Sequence, residues 1–188
     1  MQNTKSKIIR MAQLGMLAAV AIILAAFFQF PIVPAAPYLK YDMADVPVLL
    51  GTLLFGTVPG LVILLIASFV QSFLFGGSGW VGLLMHFVAS GALVILVGQF
   101  YKRHHKFKDA IIGMVLGTVA MTAIMIPMNY IFTVHFFGTP KAVVDAVMLP
   151  GIIPFNLIKA GLNSIISGLV FKALAPFIHK NKEIIRPV

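Results

Sequence analysis

Long apolar runs alternate with short polar segments along almost the whole chain. A run of about 20 apolar residues is long enough to cross the hydrocarbon core of a bilayer as an α-helix. Prolines, glycines and charged clusters separate the runs and mark the expected helix ends. This pattern predicts an all-α integral membrane protein with six transmembrane helices in one domain over residues 1–188. The predicted spans are 11–30, 45–55, 61–75, 81–101, 110–132 and 152–174.

The composition also favours a protein that lies in a membrane. The 188 residues are 60% hydrophobic and 10% charged, with a mean hydropathy of +1.02, whereas a soluble domain is about half apolar and about a quarter charged. The sequence contains no cysteine, which excludes disulfides and thiolate metal sites. A net charge of +9 would suggest nucleic-acid binding in a soluble protein. Here the preference of basic residues for the cytoplasmic face explains it, and we expect no nucleic-acid partner.

The distribution of basic residues predicts the orientation in the membrane. With six spans and a cytoplasmic N-terminus, eleven of the fourteen lysines and arginines lie on or near the cytoplasmic face. They are Lys5, Lys7, Arg10, Lys102, Arg103, Lys106, Lys108, Lys172, Lys180, Lys182 and Arg186. The C-terminus is then cytoplasmic too, and two long loops, 31–43 and 133–151, lie outside. The basic start and apolar run resemble a signal peptide superficially, but the run is too long, so we expect an uncleaved first span.

Lys159 is the most unusual residue, because it lies inside the last apolar run. A lysine within a span costs about 2.5–3.5 kcal/mol on insertion scales, so it indicates a functional site. At 100° per residue, three further polar residues fall within about 80° of one another and of Lys159 on the same helical face. These residues are Asn156, Asn163 and Ser167.

Other polar side chains are predicted to lie at the depth of Lys159. Gln71, His86 and Asn129 fall in the outer halves of their spans, and Trp80 lies at the interface before the fourth span. We expect a pocket in the outer half, closed by the two outer loops, for a neutral flat molecule with polar edges that stacks on aromatic rings. The alternative is that His86 is a packed, hydrogen-bonded histidine and that the loops are simple connections.

Lys159 also needs a hydrogen-bond acceptor. No carboxylate lies in the middle of a predicted span, so a cation-binding pocket and a proton relay are not expected. The expected acceptors are carbonyl or amide oxygens, a ligand, or Asp45 or Asp145 reaching in from the outer surface.

Motifs for nucleotide hydrolysis, zinc proteolysis and serine hydrolysis are absent from the sequence. We therefore expect no catalytic residue, no metal site and no cofactor, and any energy from nucleotide must come from partner proteins. Gly15 and Ala19 are four residues apart in the first span. Such a pair of small residues lets another helix approach closely, so it is a candidate partner interface, with internal packing as the alternative.

Four stretches carry a family resemblance over nearly the whole chain. They are "GMLAAVA" from residue 15, "LKYDMADVPVLLGTLLFG" from residue 39, "MNYIF" from residue 128 and "PFNLIKAGLNSII" from residue 154. The second and fourth are the most specific. With them the chain resembles the substrate-binding S subunits of energy-coupling factor (ECF) transporters, most closely the riboflavin-specific branch.

The resemblance implies a six-helix subunit of the bacterial plasma membrane that binds riboflavin near its outer face. It also implies partners, a transmembrane coupling subunit and two ATPases, with the coupling surface at an alanine-x-x-x-alanine motif where this chain has Gly15 and Ala19. The placement of Gln71, Trp80 and His86 at the pocket comes from helix geometry and not from the family. The positions that match the flavin site of the family are Leu39, Lys40, Tyr41, Asp42, Asn129, Asn156, Lys159 and Asn163.

Three alternatives remain open from the sequence. An S subunit for another vitamin (thiamin, biotin, folate or a queuosine precursor) has a similar architecture, although a cationic ligand would require an acidic pocket residue. A membrane-embedded enzyme would require a catalytic constellation, and His86 has no predicted carboxylate neighbour. A scaffold without a ligand would gain from the loss of Lys159.

Overall fold

The computed structural model describes residues 2–76 and 78–180 of the chain. Gly77 and two basic residues of the tail, Lys182 and Arg186, lie outside the described residues. The side chains of Lys5 and Lys180 also lie outside them.

The described part of the chain is mostly helical. A two-stranded antiparallel sheet follows the first helix and pairs Phe30 with Tyr41 and Pro31 with Lys40. The elements in chain order are α1 (Gln2–Phe27), β1 (Phe30–Pro31), β2 (Lys40–Tyr41), α2 (Asp45–Phe55), α3 (Thr57–Leu74), α4 (Gly79–His104), α5 (Phe107–Met128), the π-helical segment π1 (Asn129–Phe136), α6 (Lys141–Val147), the π-helical segment π2 (Met148–Ile152) and α7 (Ile153–Lys180).

Each of the six predicted spans falls mostly on a helix. Within the described residues, five helical segments are long and apolar enough to cross a membrane, and α2, with 11 residues, is shorter. The five long segments are Lys7–Phe27, Thr57–Leu74, Gly79–His104, Phe107–Phe136 and Lys141–Phe177.

The short helix α2 lies at the centre of the bundle. Ten of its 11 residues are buried, and it packs against α1, α3, α4 and α7. Leu49 and Leu53 of α2 belong to the main apolar core, together with Ile63 of α3 and Leu93 of α4. At a rise of 1.5 Å per residue α2 is about 16 Å long, roughly half the hydrocarbon thickness. Because other helices surround α2, it does not have to be long enough to cover the hydrocarbon thickness in contact with lipid.

Two features bring neighbouring helices close together. Gly56 joins α2 to α3 with φ at +102°, a backbone conformation that favours glycine. In α5, a Cβ atom added to Gly113 would lie 2.8 Å from the Cα of Val97 and 3.0 Å from the carbonyl oxygen of Leu96 in α4. The backbones of α4 and α5 are therefore in contact, which only a residue without a side chain permits.

The prediction of an irregular second outer loop, 133–151, is wrong, because most of this segment is helical. π1 continues α5 to Phe136, and α6 and π2 follow after a short break. Pro127 has no backbone N–H, and beyond it the hydrogen bonding widens, with the N–H of Phe137 donating to the carbonyl of Phe132 at 3.1 Å. The chain thus stays helical after the proline by changing its hydrogen-bond spacing.

Two predicted helix ends also differ from the structure. α1 begins before Met11, because the basic residues Lys7 and Arg10 continue the helix beyond the apolar run. At its other end α1 stops at Phe27, before the predicted end at residue 30. α7 continues through Pro176 instead of ending there. A proline removes one backbone hydrogen bond, and the helix persists when its other bonds are made.

The contact between α4 and α5 predicts the effect of a single methyl group. Gly113→Ala should lower the free energy of unfolding by about 1–3 kcal/mol, because the new Cβ would overlap the backbone of α4. Thermal unfolding of the purified protein in one detergent measures this change. The matched control is Gly161→Ala in α7, where a Cβ meets nothing within 4 Å, and which should leave the midpoint unchanged or slightly raised. Equal midpoints for the two variants would contradict the close packing of α4 on α5.

Candidate functional site

A polar cavity of about 220 Å³ lies between α3, α4, α5, α7 and the segment 38–42. We call it the polar cavity. Its lining combines charged and polar groups with methionine and aromatic side chains. The polar lining residues are Lys40, Asp42, Gln71, Ser72, His86, Asn156 and Lys159, and the other lining residues are Tyr38, Leu39, Gly82, Met85, Ala89, Met121, Met125 and Phe155.

Asp42 is the centre of the hydrogen bonding around this cavity. Its Oδ2 accepts from Lys159 Nζ at 2.6 Å and from Gln71 Nε2 at 3.0 Å. Its Oδ1 accepts from the backbone N–H of Ala44 at 3.0 Å. Asp42 and Lys159 are both buried, so the carboxylate neutralises an ammonium that would be strongly unfavourable alone.

The prediction that Asp45, Asp145 or a neutral protein oxygen would accept from Lys159 is therefore wrong, whereas a contact with a ligand stays a prediction. Its partner is Asp42, which the sequence places in an outer loop. The pairing of β1 with β2 and the start of α2 at Asp45 turn this loop inward, so that Asp42 reaches the lysine. The pocket thus contains a carboxylate, and the expectation that it cannot bind a cation no longer follows.

A second set of contacts holds the backbone of the same segment. Tyr41 donates its hydroxyl to Asn163 Oδ1 at 2.8 Å, and Asn163 Nδ2 donates to the backbone carbonyl of Asp42 at 3.1 Å. Burial raises the pKa of the Tyr41 phenol, Asp42 raises it further, and Lys159 lowers it. Tyr41 and Asn163 are buried behind the cavity and do not line it. They position Asp42 instead.

His86 lines the cavity and also belongs to a second polar cluster. Its Nε2 is 3.3 Å from Asp45 Oδ1, and its Nδ1 is 3.2 Å from the hydroxyl of Ser68. Ser90 donates to the other oxygen of Asp45 at 3.3 Å. The expectation that His86 has no carboxylate neighbour is wrong, because the first residue of α2 reaches it. With both ring nitrogens engaged, His86 is a packed, hydrogen-bonded histidine that also lines the cavity.

Two amide side chains at the cavity have free capacity for hydrogen bonds. Gln71 uses its Nε2 for Asp42, and its Oε1 is buried without a hydrogen-bond partner among the described residues. Asn156 donates from Nδ2 to the carbonyl of Ile152 at 2.8 Å, which leaves its Oδ1 to accept a bond. A ligand with an N–H or hydroxyl group would satisfy these acceptors.

The structure does not bring Asn129 and Trp80 into the polar cavity. Asn129 donates to the carbonyl of Met125 at 2.8 Å and accepts from Thr133 at 3.3 Å, so its amide is used along its own helical segment. Trp80 is 68% exposed and meets Phe73 edge-on, with ring centroids 5.2 Å apart. This placement fits an aromatic residue at the membrane interface.

The two predicted outer loops have different relations to the cavity. The first loop supplies Tyr38, Leu39 and Lys40 to its lining, whereas no residue of 133–151 lines it. Leu39 also packs on an apolar cluster that contains Val144 and Met148 of the second segment. The second segment thus supports the first loop from behind.

The apolar lining was missed in the sequence. Met121 and Met125 of α5 lie one turn apart, and Phe155 directly precedes Asn156. Their only sequence signal is a shared helical face or a polar neighbour, which many lipid-facing residues also have. The described residues contain no group of three or more histidines and carboxylates placed to hold a metal ion.

Gly15 and Ala19 do not line the polar cavity, and they lie on an exposed face of α1. A Cβ atom added to Gly15 would meet nothing within 4 Å. The pair therefore does not serve packing inside the described part of the chain, and this face remains available for another helix.

Comparisons with known proteins give a consistent result. The sequence model of the family "ECF transporter, substrate-specific component" matches residues 9–171. The riboflavin transporter RibU of Staphylococcus aureus (strain TCH60) is 32% identical over 177 residues, which cover 91% of this chain and 93% of that protein. RibU of Streptococcus thermophilus is 33% identical, with 96% of this chain and 87% of that protein covered. The riboflavin transporter FmnP of Bacillus subtilis is 27% identical, with 94% and 97% covered.

A solved structure of the S component of a bacterial ECF transporter also matches. Its TM-score is 0.77 and its sequence is 32% identical, with 95% of this chain and 99% of that chain covered.

The buried pair of Asp42 and Lys159 predicts a strong coupling between two substitutions. Asp42→Asn or Lys159→Met alone should lower the free energy of unfolding by about 3–5 kcal/mol, because each leaves one buried charge unpaired. The double variant should lose much less than the sum of the two, since it leaves no charge unpaired. Unfolding of the ligand-free protein in mixed detergent measures all four forms, with the exposed Lys141→Met as control. Additive losses would show that the two charges do not interact.

Proposed function

The chain belongs to the family of substrate-specific components of ECF transporters, and from this membership we propose that it binds riboflavin in the polar cavity and mediates riboflavin uptake. The observation that carries the proposal is that curated relatives covering more than nine-tenths of this chain are named riboflavin transporters. The free amide acceptors at the cavity add chemical support.

Family membership confirms several predictions. The resemblance to ECF S subunits is confirmed, and so is the expectation that the chain is a transport component and not a cofactor-dependent enzyme. The chain is a multi-pass protein of the bacterial plasma membrane. As a member of this family it works together with an energy-coupling module.

We propose that the six helical segments form one membrane domain with both termini in the cytoplasm. Five long apolar segments and the enclosed α2 together supply six crossings. The basic residues of the first helix and of the connection between α4 and α5 then lie on the same cytoplasmic side. In this orientation the polar cavity opens toward the outside.

The chemistry of the cavity suits the two ends of an isoalloxazine ring. Met121, Met125 and Phe155 offer an apolar surface for the dimethylbenzene end and for the flat face. Gln71 and Asn156 offer acceptors for N–H and hydroxyl donors, which the pyrimidine edge and the ribityl chain supply. The proposed contacts come from Leu39, Lys40, Asp42, Gln71, His86, Asn156 and Lys159.

The size of the cavity predicts that the ligand rearranges it. Its volume of about 220 Å³ lies below the roughly 300–1,000 Å³ usual for pockets that enclose a small-molecule ligand. We propose that riboflavin displaces the segment 38–42, which Tyr41 and Asn163 otherwise hold in place. A ligand that extends past Met125 would reach Asn129 on the next turn, so Asn129 remains a candidate contact.

The proposed partners are a transmembrane coupling subunit and two ATPases. The exposed pair Gly15 and Ala19 on α1 is the proposed contact surface, because small residues allow two helices to approach closely. The sequence contains no motif for a nucleotide-binding loop, so the ATPases would supply the energy.

Lys159 predicts a measurable change in riboflavin affinity. Lys159→Met should weaken binding about 10- to 150-fold, which corresponds to the loss of about 1.5–3 kcal/mol from a charge-assisted hydrogen bond. Titration of riboflavin fluorescence with purified protein in detergent measures the dissociation constant. Lys141→Met is the control for the loss of an exposed lysine, and it should leave the affinity within twofold of wild type.

A second variant distinguishes direct contact from positioning. Asp42→Asn combined with Lys159→Met leaves no unpaired carboxylate at the cavity. The double variant stays as weak as Lys159→Met if the ammonium donates to the ligand, and it recovers most of the affinity if Lys159 acts only through Asp42. Unchanged affinity in Lys159→Met would overturn its assignment to the site, and an absence of riboflavin binding by wild-type protein would overturn the function.

The proposed coupling surface makes a separate prediction. Gly15→Phe with Ala19→Phe should reduce co-purification of the energy-coupling module and riboflavin uptake by at least about tenfold, since bulky side chains prevent close helix contact. Riboflavin affinity should stay within twofold. The control is Val115→Phe on α5, which is also exposed. Normal co-purification of the α1 variant would place the contact surface elsewhere.

A further inference from the structure

A second cavity, of about 430 Å³, lies at the other end of the bundle. We call it the basic cavity, and Arg10, Thr57, Val58, Lys102 and His105 are among the residues that line it. Along α4, Lys102 is 16 residues beyond His86 of the polar cavity, which is about 24 Å at the helical rise. The two cavities are therefore well separated.

The basic cavity lies where four apolar segments begin or end. Arg10 directly precedes the apolar run of α1, and Lys102 directly follows that of α4. α2 ends at Phe55 and α3 begins at Thr57. Since helix segments leave the hydrocarbon at such positions, the cavity lies at the depth of the lipid headgroups.

The charges that face this cavity are positive. Arg10 and Lys102 line it together with His105, whereas no carboxylate among the described residues does. Asp109, the carboxylate on the neighbouring α5, is 3.2 Å from the His104 ring.

Arg10 is held in one orientation and keeps donors to spare. Its Nη2 donates to the carbonyl of Phe55 at 3.0 Å, and its guanidinium lies 6.0 Å from the centre of the Phe55 ring. A guanidinium has five N–H donors in a planar fork, so most remain for an anionic oxygen. Thr57 and Val58, the first residues of the 18-residue helix α3, also line the cavity, and the N-terminus of this helix adds positive potential there.

An exposed apolar face leads away from the basic cavity along α3. It starts with Val58, which lines the cavity and is 70% exposed. It continues at helical spacing through Val62, Ile66, Phe69 and Phe73, which are all exposed. A cationic pocket that continues into an apolar surface matches a molecule with an anionic head and a hydrocarbon chain.

We propose that the basic cavity binds an anionic phospholipid of the leaflet at that end of the bundle. The phosphate contacts Arg10 and Lys102, and an acyl chain lies along the exposed face of α3. Basic pockets between transmembrane helices on the cytoplasmic side are suited to such headgroups. A free phosphate shares the headgroup chemistry but would leave the apolar face unused. This site is additional to the proposed riboflavin site and does not depend on the identity of the transported ligand.

The test measures lipid binding to delipidated, purified full-length protein. Phosphatidylglycerol and phosphatidylcholine are added in turn, and bound lipid is counted by native mass spectrometry. Wild type should bind phosphatidylglycerol at least about tenfold better than phosphatidylcholine. Arg10→Gln with Lys102→Gln should reduce this preference to within about twofold. Lys106→Gln with Lys108→Gln removes the same charge from exposed residues that do not line the cavity, and it should keep the preference.

The folding of the variants is controlled separately. The thermal unfolding midpoint in detergent reports on the fold of each variant. If the Arg10 double variant is misfolded, Lys102→Gln alone decides, because it leaves the Arg10–Phe55 hydrogen bond in place, and it should reduce the preference at least threefold.

Four results would overturn the proposal. The first is a preference for phosphatidylglycerol that survives in the cavity variants. The second is an equal loss of this preference in the Lys106 and Lys108 control, which would indicate general attraction to a basic surface. The third is inorganic phosphate that competes fully with the lipid at equal concentration, which would indicate a site for a soluble anion. The fourth is equal binding of phosphatidylglycerol and phosphatidylcholine by the wild-type protein, which would show that the cavity does not select an anionic headgroup.

Discussion

The structure depends on the burial of one ammonium group among apolar helices. Lys159 is neutralised by Asp42, and to reach it the segment between β1 and α2 must turn inward. Once Asp42 is buried, its carboxylate and its backbone carbonyl accept further hydrogen bonds: Gln71 donates to the oxygen that Lys159 also uses, Ala44 donates to the other oxygen, and Asn163 donates to the carbonyl. The order of the outer segment is thus a consequence of satisfying a charge inside the bundle. The same contacts that stabilise the ligand-free protein also surround the polar cavity.

Much of the helical architecture could be predicted from the sequence, because apolar run length and proline position report directly on helices in a membrane. Even the short α2 was identified, since Asp45 and Pro47 mark its start. The segment 133–151 was not, because glycine and proline there suggested a loop. Backbone groups near a membrane favour internal hydrogen bonds over exposure. In this segment π-helical hydrogen bonds satisfy them, in π1 after Pro127 and in π2 around Pro150.

The candidate site was predictable only in part. Helical angles placed Asn156, Lys159 and Asn163 on one face of α7, and the structure brings all three close to Asp42 or to the cavity. The pairing of Lys159 with Asp42 spans 117 positions, and no local pattern encodes it. A tryptophan near the membrane interface fits either a ligand pocket or the lipid headgroup region, so the sequence alone did not place Trp80. In the structure Trp80 packs against Phe73 at the surface and not in the cavity.

The length of α2 has an electrical consequence. The polar cavity lies near its first residue and the basic cavity near its last, so along α2 packed protein separates them by only about 16 Å, which is less than the roughly 24 Å from His86 to Lys102 along α4. Where water enters both cavities, the membrane voltage falls across this layer instead of across the roughly 30 Å of a bilayer. The local field is then about doubled, and each elementary charge carried through the layer changes the energy by about 2.3 kcal/mol per 100 mV. Moving a neutral ligand in this field costs no electrical work, whereas moving a phosphorylated ligand, which carries negative charge, does.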